Sequence, residues 1–121
     1  MAAPNLVNVS TITAKSVQAA LTTTLTTEIL ANAGSSGKVF KINNIIVANI
    51  DGSSSVDVSV AITKSGGSPI MIASTVGVPA DATLVVSNSD TTIYLEEGDN
   101  IEAGASANSD AVITINYEEL S

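Results

Sequence analysis

Four carboxylates crowd one short stretch of this chain: Glu96, Glu97, Asp99 and Glu102 surround Gly98. Oxygen ligands grouped about a turn are what a hard cation such as Ca²⁺ requires. The spacing departs from the calcium-loop motif, in which Asp and Asn alternate before a glycine. In strand geometry, moreover, Glu96 and Glu97 point to opposite faces. The expected state of the four is a solvated acidic hairpin end, with a cation site as the alternative, and no cofactor is expected. Lys64 beside Ser65 is the one neighbour pair able to act as base and nucleophile, because the chain has no histidine. It opens the run Lys64-Ser65-Gly66-Gly67-Ser68-Pro69, a turn composition, and no catalytic residue is expected there or elsewhere. With no cysteine, a thiolate nucleophile, a disulfide framework and a zinc–thiolate site are all excluded. Neither glycine-rich phosphate-binding motif occurs. The only aromatic residues are Phe40, Tyr94 and Tyr117, too few for the platforms that sugar clefts present. Both tyrosines read as core or sandwich-rim residues with the hydroxyl reaching water.

Charge narrows the field of partners. The formal net charge is −8, with Lys15, Lys38, Lys41 and Lys64 the only cations. Nucleic-acid binding needs cationic groups that displace counterions from phosphates, and an anionic membrane surface needs the same. Neither partner is expected; an acidic, solubilising surface is. Residues Met1 to Ser10 lack the basic stretch and apolar run of a secretory signal. No apolar run approaches the roughly 20 residues that span a bilayer, so use without membrane insertion is expected.

These groups must be positioned by strands. A chain of 121 residues makes one domain. Aromatics are 2% against 45% apolar residues, so the core has to come from Val, Ile, Leu and Ala. Lys38 to Ile62 reads as two long antiparallel strands joined at Asp51-Gly52. Phe40, Ile42, Ile46, Ala48 and Ile50 would share one face of the first, and Val56, Val58, Val60 and Ile62 one face of the second. Gly52 would supply a positive φ, while Asp51 and the following serines bond the local backbone. Residues 1–13 read as an N-terminal arm or edge strand, reaching to a neighbour or packing along their own domain, with a single sandwich over 14–121. Within Ser16 to Ala33, Val17, Leu21, Leu25 and Ile29 recur at helical spacing, but the β-branched threonines between them favour two strands or one bent strand. Further strands are expected at 69–75, 82–87, 91–95, 101–108 and 111–117, with 76–81 a connection between sheets. The alanines at 103, 105 and 107 would let a facing sheet or another chain approach closely. About eight or nine short strands between Gly, Ser, Asn and Asp turns predict an all-β antiparallel sandwich, jelly-roll-like or immunoglobulin-like.

The segments GKVFKINNIIVANIDG (37–52), VPADATLVVS (78–87), IYLEEGDNIEA (93–103) and INYEELS (115–121) resemble the small virion structural proteins of tailed bacteriophages, in particular phages of marine cyanobacteria. The resemblance covers the chain from about Gly37 onward. It implies a non-enzymatic component assembled in the host cytoplasm into the virion, decorating or cementing the head. The partners it implies are further copies of the chain, most often as a trimer, and the major capsid protein or other virion proteins. A tail, neck or fibre component is the alternative. From a different class, a cation- or glycan-binding β-sandwich module is the third reading.

Overall fold

The chain doubles back on itself at Lys64–Ser68, and every other strand pairing is nested around that turn. The computed structural model describes residues 8–25 and 28–121. Nine strands are described: β1 (Ile12–Ala20), β2 (Glu28–Ala31), β3 (Val39–Asn49), β4 (Val56–Thr63), β5 (Pro69–Val78), β6 (Thr83–Ser87), β7 (Ile93–Leu95), β8 (Asn100–Ala105) and β9 (Ala111–Leu120). A 3-10 turn, Ser89–Thr91, separates β6 from β7 and is capped by Asn88. Strand β4 pairs with β5, β3 with both β6 and β7, β2 with β8, and β1 with β9, all antiparallel. Rolling this long hairpin up adds the pairs β3–β9 and β4–β8.

Two sheets result, in the orders β1-β9-β3-β6, with β7 also on β3, and β2-β8-β4-β5. That is a jelly roll, the first of the two expected sandwich forms. The immunoglobulin arrangement keeps its first two strands in one sheet; here β1 and β2 lie in different sheets.

Four expectations are corrected. The run 38–62 is not a hairpin: β3 and β4 belong to opposite sheets, and Ile50 to Ser55 carries the chain across the sandwich. Gly52 does not adopt a positive φ, although Asp51 does accept the N–H of Ser53 at 2.9 Å. Alternation tells which face a strand buries, not which strand lies beside it. The inward face of β3 also changes along its length. Phe40 and Ile42 point in, the pairing with β9 slips between Ile42 and Asn44, and from there Ile45, Val47 and Asn49 are the buried residues. One extra residue reverses the phase of everything after it, so Ile46 and Ala48 are half-buried on the outer face and Ile50 is 59% exposed. Finally, β5 runs on to Val78, shortening the connection expected at 76–81.

Residues 16–33 form two strands, β1 and β2, one in each sheet, and not a helix. Met1 to Val7 of the expected arm lie outside the described residues. Ile12 and Thr13 already belong to β1, an edge strand, and the N–H groups of Ser10 and Thr11 donate to the Ser121 carbonyl. The core holds what the composition required: Leu21, Ile42, Ile45, Val47, Val58, Val60, Leu95, Ile101, Ile113 and Ile115 are fully buried between the sheets. Tyr117 is buried against Phe40, with ring centroids 5.2 Å apart, whereas Tyr94 is exposed on the outer face opposite Lys41.

Candidate functional site

The acidic turn between β7 and β8 is built inward. Asp99 is 2% exposed, and both of its carboxylate oxygens are engaged: Oδ2 accepts the N–H of Glu96 at 2.8 Å and the Lys64 ammonium, and Oδ1 accepts the N–H of Ser65 at 3.1 Å. Gly98 makes the turn possible. Its φ is +86°, and a Cβ there would lie 2.6 Å from Ser65 Oγ. The other three carboxylates go elsewhere. Glu96 lies 3.3 Å from Lys64 Nζ on the surface, Glu97 accepts the Gly37 N–H at 2.9 Å, and Glu102 accepts the hydroxyl of Thr63. Glu96, Glu97, Asp99 and Glu102 therefore do not converge on a common point. Among the described residues no group of three or more His, Cys, Asp or Glu is placed to hold a metal ion.

The Lys64–Ser65 pair is equally committed. The hydrogen bond to Asp99 raises the Lys64 ammonium above its ordinary value, with Glu96 adding to the effect. An amine held protonated is not the free base that a serine nucleophile needs. A shallow depression of about 190 Å³ on the outer face of β4 and β8 is lined by Asp57, Ser59, Thr75, Gly104 and Ser106 among others. It offers one carboxylate and hydroxyls, with no second titratable group in its wall.

What the fold does assemble is an apolar flank. Strands β5 and β6 lie at the same side of the sandwich and touch. Seven large apolar side chains are exposed among the described residues, and five of them are on β5, β6 and β7: Ile70, Met71, Ile72, Val85 and Tyr94. No residue of these three strands is charged. The opposite edges carry Lys15 on β1 and Glu28 on β2. Edge strands of soluble proteins are normally guarded by charge, by proline or by bulges. Here β5 has Pro69 and two register slips opposite Val58–Ala61, but it also exposes three consecutive large apolar residues, Ile70 at 63% and its neighbours Met71 and Ile72.

This flank escapes a sequence reading that searches for chemistry, because it contains none. The signal that could have found it is the uncharged run from Pro69 to Val78 in an otherwise acidic chain. The alanines of β8 face the core, where Ala103 and Ala105 are buried against the other sheet's side chains, while on the outer face Gly104 admits the chain's own Thr24–Leu25 segment. No protein-family model matches this chain, and no curated protein matches it.

Proposed function

We propose that the protein is a non-enzymatic structural component of a phage virion, decorating or cementing the capsid surface through repeated contacts between copies and with the shell. The observation that carries this reading is the uncharged apolar flank of β5, β6 and β7 on a chain of net charge −8. A protein that works by docking needs a surface that loses little on desolvation, and large exposed apolar patches mark such surfaces. The commitment of Asp99, Lys64 and Glu97 to internal bonds supports the same reading, since these groups brace turns. The jelly roll serves viral capsid proteins and lectins alike, so the topology is compatible with the proposal and is an argument by fold analogy only. The resemblance of residues 37–121 to phage virion proteins supplies the particular assembly.

The test is to add recombinant protein to purified particles that lack it and image them by cryo-electron microscopy. Density repeated over the head confirms the decoration role. Density confined to the neck, tail or fibres selects the alternative virion position. Failure to attach to any part of the particle rejects the proposal, and stoichiometric binding of a glycan or Ca²⁺ by calorimetry would then favour a binding module.

A further inference from the structure

We infer that β5 is a self-association edge, and that two copies meet antiparallel across it about a two-fold axis at Met71. The inference does not depend on the virion reading, because it concerns the free protein.

Three observations carry it. The first is exposure: Ile70, Met71 and Ile72 are consecutive, large and exposed, at 63%, 38% and 38%, on a strand whose other side is paired with β4. Consecutive side chains of a strand point to opposite faces, so a flat surface laid against one face would leave part of this apolar group in water. An approach along the edge covers both.

The second observation is the sequence of the edge itself. Ser68-Pro69-Ile70-Met71-Ile72-Ala73-Ser74 reads nearly the same in both directions about Met71. Antiparallel pairing of two copies with Met71 opposite Met71 sets Ile70 against Ile72, Pro69 against Ala73 and Ser68 against Ser74. A two-fold interface uses one patch twice and so demands a patch complementary to itself. This one meets that demand residue by residue.

The third is charge. Each copy carries a net charge of −8, so contacts between acidic surfaces of two copies are opposed. No charge lies on β5, on β6 beside it, or on β7. The occupant that fits is therefore a second copy of this chain. Its extent is limited. Ile72 has no counterpart on β4, which bends the strand there, and Thr75 has a left-handed backbone with its N–H bound to Ser59 Oγ at 2.9 Å. The contact is thus a short one centred on Ile70, Met71 and Ile72, not a continuous sheet through both molecules.

A two-fold contact gives a dimer, where the resemblance to phage proteins implies a trimer. The test uses the full chain, whose lack of cysteine makes introduced thiols unambiguous. Light scattering over a concentration series should show a monomer–dimer equilibrium, and Ile70→Lys should abolish the dimer without altering the circular dichroism spectrum. Under mild oxidation Met71→Cys should cross-link to a dimer, because directly opposed residues bring their Cβ atoms close to disulfide reach. Ile12→Cys, on the opposite flank and more exposed at 58% against 38% for Met71, should nevertheless cross-link far more slowly. A chain monomeric at every concentration overturns the inference. So does a trimer, a dimer that survives Ile70→Lys, or equal cross-linking at positions 12 and 71.

Discussion

Leu25 crosses the outer face of β8 directly above Gly104, so close that a Cβ on Gly104 would lie 2.9 Å from Leu25 Cα and 3.0 Å from its amide nitrogen. Backbone cannot yield as a flexible side chain does. The crossing segment is pinned on its N-terminal side, where the Thr22 carbonyl accepts the Ala105 N–H at 2.8 Å and the Thr23 N–H donates to Asn108 Oδ1 at 2.9 Å. Gly104→Ala is therefore expected to cost about 1–3 kcal/mol, as overpacking a fixed site does. Gly34→Ala, with nothing within 4 Å of the new methyl, should change stability by less than about 0.5 kcal/mol. Urea denaturation of the two variants measures the difference, and equal midpoints would refute the argument.

Asp99 ties three turns together, and its replacement should be felt in proportion to the donors it abandons. Its side chain serves Glu96 within its own turn and Lys64 and Ser65 in the β4–β5 turn, while its carbonyl accepts the Asn32 N–H at 2.9 Å at the exit of β2. Asp99→Ala strands two backbone N–H groups and is expected to destabilise by about 1–3 kcal/mol for each donor that water cannot reach. Asp99→Asn keeps one acceptor oxygen and should cost less. Lys64→Met should cost less than about 1 kcal/mol, because the lysine side chain is half exposed and its ion pairs are screened. Chemical denaturation of the three variants should give the order Ala, Asn, Met from least to most stable. Calcium should leave the melting temperature of the parent protein unchanged; a calcium-dependent rise would restore the cation reading of this turn.

Opposite limbs of the pH–stability profile should report different groups. Burial pushes the Glu119 carboxyl up, but the hydrogen bonds from Lys38, at 3.0 Å, and Lys15 outweigh it and leave the group below its ordinary value. A depressed carboxylate stabilises the fold above its unfolded pKa and loses that contribution as pH falls through the folded value. Acid should thus weaken the protein, and Glu119→Gln should flatten part of that limb. At the alkaline end Lys64 is raised by its bond to Asp99, and the Tyr117 hydroxyl is raised by burial. Both contributions are complete below the unfolded values and disappear as pH climbs through the folded ones. Melting temperatures measured across the range should fall at both ends, and Lys64→Met should soften only the alkaline fall.

Why the strands were legible and their partners were not follows from the same periodicity. Val56, Val58 and Val60 announce an inward face by alternation alone, and all three are fully buried. The period of two survives any choice of neighbour, so it could not reveal that β3 and β4 part company at Asn49 and enter different sheets. A bulge is a single residue with no composition of its own, and the one near Asn43 was enough to exchange Ile46 for Ile45 as the core residue. The acidic turn was visible as a cluster, but its meaning depends on Lys64, which lies 35 positions earlier in the chain. That partnership exists only because the β4–β5 turn is folded against the turn before β8. The apolar flank was written plainly in Pro69–Val78, yet only the sheet order shows that none of the described strands pairs with its outer edge.

Two asparagines carry the crossings between sheets, and they yield the sharpest test of the rolled-up topology. Asn49 is 2% exposed at the end of β3. Its Nδ2 donates to the carbonyls of Ser54 at 2.9 Å, Val78 at 3.0 Å and Pro79 at 3.2 Å, and its Oδ1 accepts the Asp51 N–H at 2.9 Å. One side chain thereby holds the β3–β4 crossing against the end of β5. Asn32, 1% exposed, does the same after β2, donating to the carbonyls of Lys38 and Leu95 and accepting from Ser36 Oγ. Buried carbonyls without donors are costly, so Asn49→Ala and Asn32→Ala should each destabilise by about 1–3 kcal/mol or more. Asn49→Asp should be nearly as damaging, because a carboxylate can accept the Asp51 N–H but has nothing to give three facing carbonyl oxygens. Had these residues sat in a plain hairpin turn open to water, all three substitutions would be close to neutral. Urea midpoints that move by less than about 0.5 kcal/mol would therefore point back to the hairpin and against the crossing.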